Sequence, residues 1–81
     1  MSMPTTERTA AQQLATARLL LGQFEAQLRE WKHMGAKKRL RSARGKDLAR
    51  RMPGLKAGHA KWTARVEDLE ARAAAEQEAG T

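Results

Sequence analysis

The sequence predicts an all-α protein, a small helical bundle or helical hairpin. Three observations carry this. Apolar residues recur at alternating spacings of four and three along two long stretches, the signature of a helix face packed on another helix. The chain has 16 alanines, the strongest helix former. It has no Tyr, no Ile and one Val, so a sheet would lack the β-branched and aromatic residues it normally uses.

The first helix is expected over residues 5–33. Pro4-Thr5-Thr6-Glu7 supplies a helix start, because a Thr hydroxyl can cap an orphan N–H and Glu7 suits the positive end of the helix dipole. Ala10, Leu14, Ala17, Leu21, Phe24, Leu28 and Trp31 then form a seam. Glu25 and Arg29 stand in the favourable i,i+4 order. Gly35 is placed to end the helix. Opposite the seam lie Ala11, Ala15, Leu19, Gly22 and Ala26, either an exposed alanine-rich face or a close-approach surface for another helix.

A second, basic helix is expected over residues 36–51, with a kink at Gly45. Its apolar face, Leu40, Ala43, Leu48 and Met52, is ragged. Met52-Pro53-Gly54 marks a break, since proline disfavours helical geometry in the residue before it. A third helix follows over residues 54–78, with a seam of Leu55, His59, Trp62, Val66, Leu69, Ala73 and Glu76. Residues 1–4 and 79–81 are expected to fray, and acidic groups near a helix C-terminus oppose its dipole. The two seams are expected to pack together, with Leu14, Leu21, Phe24, Leu28, Trp31, Trp62, Val66 and Leu69 as the contact or oligomerisation residues.

Size bounds what such a fold can do. The 81 residues allow one small domain, and alanine leaves only 17 larger apolar side chains for its core. A substrate pocket walled off from water is not expected. The absence of Cys excludes disulfides and thiolate metal sites. His33 and His59 have no carboxylate partner at ligand spacing, so no metal or cofactor is expected. Gly35-Ala36-Lys37-Lys38 and Gly45-Lys46-Asp47 lack the spacing of a phosphate loop. No hydroxyl has a nearby base and orienting carboxylate, so the chain reads as a non-enzyme. With no signal-peptide pattern at the N-terminus, a cytoplasmic location is the expectation.

The charge pattern points to function. The net charge is +7. Residues 29–65 hold 13 of the 16 Lys and Arg against only Glu30 and Asp47, whereas residues 66–81 are net acidic. So dense a cationic block repels itself unless something anionic offsets it. The leading expectation is a nucleic-acid-binding module that contacts DNA or RNA phosphates through Lys32, Lys37, Lys38, Arg39, Arg41, Arg44, Lys46, Arg50, Arg51, Lys56, Lys61 and Arg65. Trp31 and Trp62 sit on the seams and read as core anchors rather than base-stacking residues. Residues 47–55, followed by a helix bearing Lys61 and Arg65, resemble a helix-turn-helix, although Pro53 and Gly54 crowd its turn.

The alternative is a small regulator or inhibitor of phage or mobile-element type. It would dock on a protein or ribonucleoprotein through the basic surface and the helical seams. A homodimer is compatible with the small-residue face. Membrane association is not expected, given the acidic tail and a mean hydropathy of −0.73.

Overall fold

The computed structural model describes residues 8–79. Their helices are α1 (Ala10–His33), α2 (Ala36–Arg41) and α3 (Ala43–Ala79), with no strand among the described residues. α1 and α3 form an antiparallel hairpin, and α2 packs on α3 where the hairpin closes. Side-chain contacts fix the direction: Glu76 meets Ala10, Glu70 meets Arg18, and Arg44 meets Glu30. At 1.5 Å per residue the 37 residues of α3 span about 56 Å, so α3 is the full length of a rod measuring 57 × 31 × 14 Å.

α1 begins at Ala10, not at residue 5 as the sequence predicts. Thr9 is its cap. The Thr9 Oγ1 accepts from the Gln12 N–H at 3.2 Å, and the Gln12 Oε1 accepts from the Thr9 N–H at 3.1 Å. Of Thr5, Thr6 and Thr9, only Thr9 has a Glu or Gln three residues on, which the reciprocal capping box requires. Thr5, Thr6 and Glu7 lie outside the described residues. The Ala10 N–H donates to the Glu76 carboxylate at 3.0 Å. Glu76 thus opposes its own helix dipole but sits at the positive end of α1, which the antiparallel fold brings beside it. α3 accordingly stays helical to Ala79, one residue past the predicted end; the rest of the 79–81 segment expected to fray lies outside the described residues.

At its other end α1 does not turn through a left-handed Gly35. No glycine among the described residues has positive φ, and the chain leaves α1 through an extended Met34. The end carbonyls are served by a side chain instead. The Arg39 guanidinium donates to the Trp31 carbonyl at 2.7 and 3.1 Å and to that of Lys32 at 3.4 Å.

The expected helix 36–51 is divided, and the break falls at Ser42 rather than Gly45. Ser42 is extended, with φ −80° and ψ 150°. Its Oγ donates to the Lys38 carbonyl and accepts from the Gly45 N–H at 2.9 Å. One hydroxyl therefore closes α2 and opens α3. Gly45 is buried in the first turn of α3, where a Cβ would run into the backbone of Lys38 and Arg39. The break also rotates α2 away from the core, so Leu40 is exposed rather than on an apolar face; Ala43, the first residue of α3, is exposed too.

The break predicted at Met52-Pro53-Gly54 is absent. α3 runs through Pro53, and no turn exists there for a helix-turn-helix. An internal proline costs roughly 3 kcal/mol. The stripe it interrupts explains why the helix persists. Leu48, Met52 and Leu55 continue the alternating spacing of the later seam, and all three are buried. Breaking the helix would lift one half of that stripe off α1. Ala49 and Pro53 are exposed, so water can satisfy the carbonyl that loses its donor.

The seams pack as predicted, in two clusters. Toward the open end, Ala10, Leu14, Ala17, Val66 and Leu69 are buried, with Leu21, Trp62 and Ala73 against them. At the closed end, Leu48, Met52 and Leu55 are buried beneath Phe24, Leu28, Trp31 and Met34. The small-residue face of α1 is exposed, with Leu19 72% accessible.

Two glycines of α3 should respond in opposite ways to alanine. Gly54 has open space where its Cβ would be, so Gly54→Ala should stabilise by about 0.5–1 kcal/mol through helix propensity. Gly45→Ala drives a methyl into backbone and should destabilise by about 1–3 kcal/mol. Thermal melts would check both, at roughly 4–8 °C per kcal/mol for a chain this size. Equal shifts would show that α2 does not rest on Gly45.

Candidate nucleic-acid interface

Folding back at α2 turns a sequence pattern into a spatial one. Residues 29–65 comprise the last turn of α1, all of α2 and the larger part of α3, so most of their cations gather toward the closed end of the rod, while Lys61 and Arg65 stand beside the open-end cluster. Glu67, Asp68, Glu70 and Glu76 lie toward the open end. The protein is electrically polarised along its long axis.

The predicted cations fall into two groups. The first is engaged within the fold. Arg39, half-buried, lies 4.4 Å from the centroid of the Trp31 ring and clamps the end of α1. Arg44 grips Glu30 through two hydrogen bonds of 2.8 Å, tying α3 to α1. That hydrogen bond holds the Glu30 carboxyl below its usual range and raises the Arg44 guanidinium above its own. Arg50 and Arg51 share Asp47 at 3.2 and 3.3 Å, and Arg51 also donates to Gln27 at 2.6 Å. Arg65 donates to Gln13 at 3.0 Å and faces Asp68 at 3.5 Å. The Lys61 ammonium stands 5.9 Å from the Trp62 ring centroid, at the limit of a cation–π contact.

The second group is Lys32, Lys37, Lys38, Arg41, Lys46 and Lys56. All are exposed, and none makes an ion pair among the described residues. Lys37, Lys38 and Arg41 belong to α2. Lys32 is in the last turn of α1, and Lys46 is in the first turn of α3. Lys56 stands farther along α3.

Two residues at this end sit differently from what the sequence predicts. The i,i+4 spacing pairs Arg29 with Glu25, but Glu25 instead approaches His59 at 3.9 Å. Arg29 lines a shallow cleft of about 390 Å³ with Glu25, Leu28, Lys32, His33 and His59. Only a knowledge of the hairpin register could reveal this. Leu40 is the other: 74% exposed, it stands among the α2 cations.

Trp31, Trp62 and Phe24 are all half-buried in the two core clusters. These are the chain's only aromatics, so no exposed ring offers a platform for an unpaired base. Among the described residues no group of three or more His, Asp or Glu could hold a metal ion, and no helix is long and apolar enough to cross a membrane. Comparison with protein-family models, curated proteins and solved structures finds no match for this chain.

Proposed function

We propose that this protein binds nucleic acid through its closed end, by phosphate contacts and without catalysis. The observation that supports the reading is the set of exposed cations at the closed end, Lys32, Lys37, Lys38, Arg41 and Lys46, which make no ion pair among the described residues. Neutralising phosphates releases condensed counterions, which drives binding and makes it salt-dependent. Arg50 and Arg51, paired with Asp47, can add to it. Their exposed ion pairs are individually weak, so exchange of a carboxylate for a phosphate is inexpensive.

The test is a fluorescence-anisotropy titration of duplex DNA, single-stranded DNA and structured RNA at several salt concentrations. Five phosphate contacts on a duplex should give a slope of log K against log salt of roughly −4.5. Binding that vanishes at physiological salt for every ligand would sink the reading.

The exposed face of α1 favours a second reading. Ala11, Ala15, Leu19, Gly22 and Ala26 form a surface that another helix can approach closely, as in a regulator that docks on a protein or ribonucleoprotein. Tight capture of one protein partner, with only weak binding to free nucleic acid, would select it.

A further inference from the structure

α2 has six residues and buries none of them. Alone, a helix so short does not form in water. Three separate contacts hold it in place. Arg39 clamps it to Trp31 and to the last carbonyls of α1. Ser42 bonds it to the start of α3. Gly45 lets its backbone touch that of α3. Arg39 alone points inward, so the outward surface consists of Lys37, Lys38, Leu40 and Arg41. A firmly held helix therefore presents one exposed apolar side chain beside two cations, with Lys37 and Arg41 on the neighbouring helical positions and Lys38 nearly opposite.

A polyanion with an apolar gap between its charges complements this surface. A DNA duplex seen from the minor groove has that form, with two phosphate rows flanking stacked bases. An apolar side chain entering the groove can part a base step and kink the duplex. Single strands fit less well, because every aromatic ring is packed against the core. We propose that α2 docks over the minor groove of duplex DNA, with Leu40 wedged at a base step and Lys37 and Arg41 on the phosphates beside it. This rests on the nucleic-acid reading above.

The experiment compares the full chain with its Leu40→Ala and Leu40→Met variants on an end-labelled duplex of about 20 base pairs. Affinity is read by anisotropy and bending by energy transfer between the duplex ends. Leu40 is exposed, so both variants should melt as the parent does. Leu40→Ala should bind about tenfold more weakly and leave the duplex straight, with an unchanged salt slope because no phosphate contact is lost. Leu40→Met should retain the bend. Equal affinity and bending for Leu40→Ala would overturn the wedge while leaving phosphate binding intact. Tighter binding of the parent to duplex RNA, or to vesicles of anionic lipid, would also overturn it. No binding of the parent to any nucleic acid would instead remove the reading on which the wedge depends.

Discussion

Reversing Lys37, Lys38 and Arg41 to Glu should lower affinity for duplex DNA by at least about a hundredfold near physiological salt. The estimate follows from counterion release. Each phosphate contact changes log K by about 0.9 per tenfold change in salt, so at about 0.15 M it contributes roughly 0.7 to log K. Three lost contacts account for about two powers of ten, before repulsion of the new carboxylates is counted. The slope should also become shallower by about 3. The fold should survive, because these side chains are exposed and make no ion pair among the described residues. Arg44, Arg50 and Arg51 are unsuited to the same test. Reversing them would set carboxylates against Glu30 and Asp47 and confuse lost binding with lost stability. A triple Gln variant should lie between parent and reversal. Full affinity with an unchanged salt slope in the Glu variant would show that α2 is not the contact surface.

The seams were legible because helix burial imposes its own period on the sequence. Leu14, Leu21, Val66 and Leu69 lie where that period puts them. The same pattern also held the continuity of α3, since Leu48 and Met52 stand in register with Leu55, His59 and Trp62. A local rule, that proline ends helices, obscured it. The rule lost because about six turns of buried stripe, from Leu48 to Leu69, outweigh one absent hydrogen bond. The cap at Thr9 was equally readable from Gln12 three residues on.

The tertiary contacts were not readable. Nothing local to Gly45 reports that the backbone of Lys38 and Arg39 approaches it. Likewise, Arg39, Arg44 and Arg65 find partners 8, 14 and 52 residues away, through a turn and a register that only the folded chain defines. The candidate site was therefore legible as a region and as a sum of charge. Which cations the fold uses internally, and which it leaves to a ligand, depends on where the hairpin closes. Leu40 shows the point. Treating 36–51 as one helix turned it toward the core, whereas the break at Ser42 turns it outward.

Leu48→Ala should be the most damaging single truncation at the closed end. Leu48 has no accessible surface, and it packs in the cluster of Met52 and Leu55 beneath Phe24, Leu28, Trp31 and Met34. Removing a buried leucine side chain costs about 2–5 kcal/mol, depending on how far the site collapses. A chain of this size has a total stability of only about 4–12 kcal/mol. The melting temperature should fall by tens of degrees. Leu48→Met, close in volume, should lose less than about 1.5 kcal/mol. Leu69→Ala, in the other cluster, should cost a similar amount but have a different consequence. α2 rests on the closed end, so Leu48→Ala should loosen it and weaken duplex binding even where the open end stays helical. Leu69→Ala should leave binding intact at temperatures where the chain is folded. Circular dichroism melts combined with amide hydrogen exchange would separate the two. If both variants lose protection uniformly along the rod, the clusters unfold as one unit. Binding would then follow global stability rather than the order of the closed end.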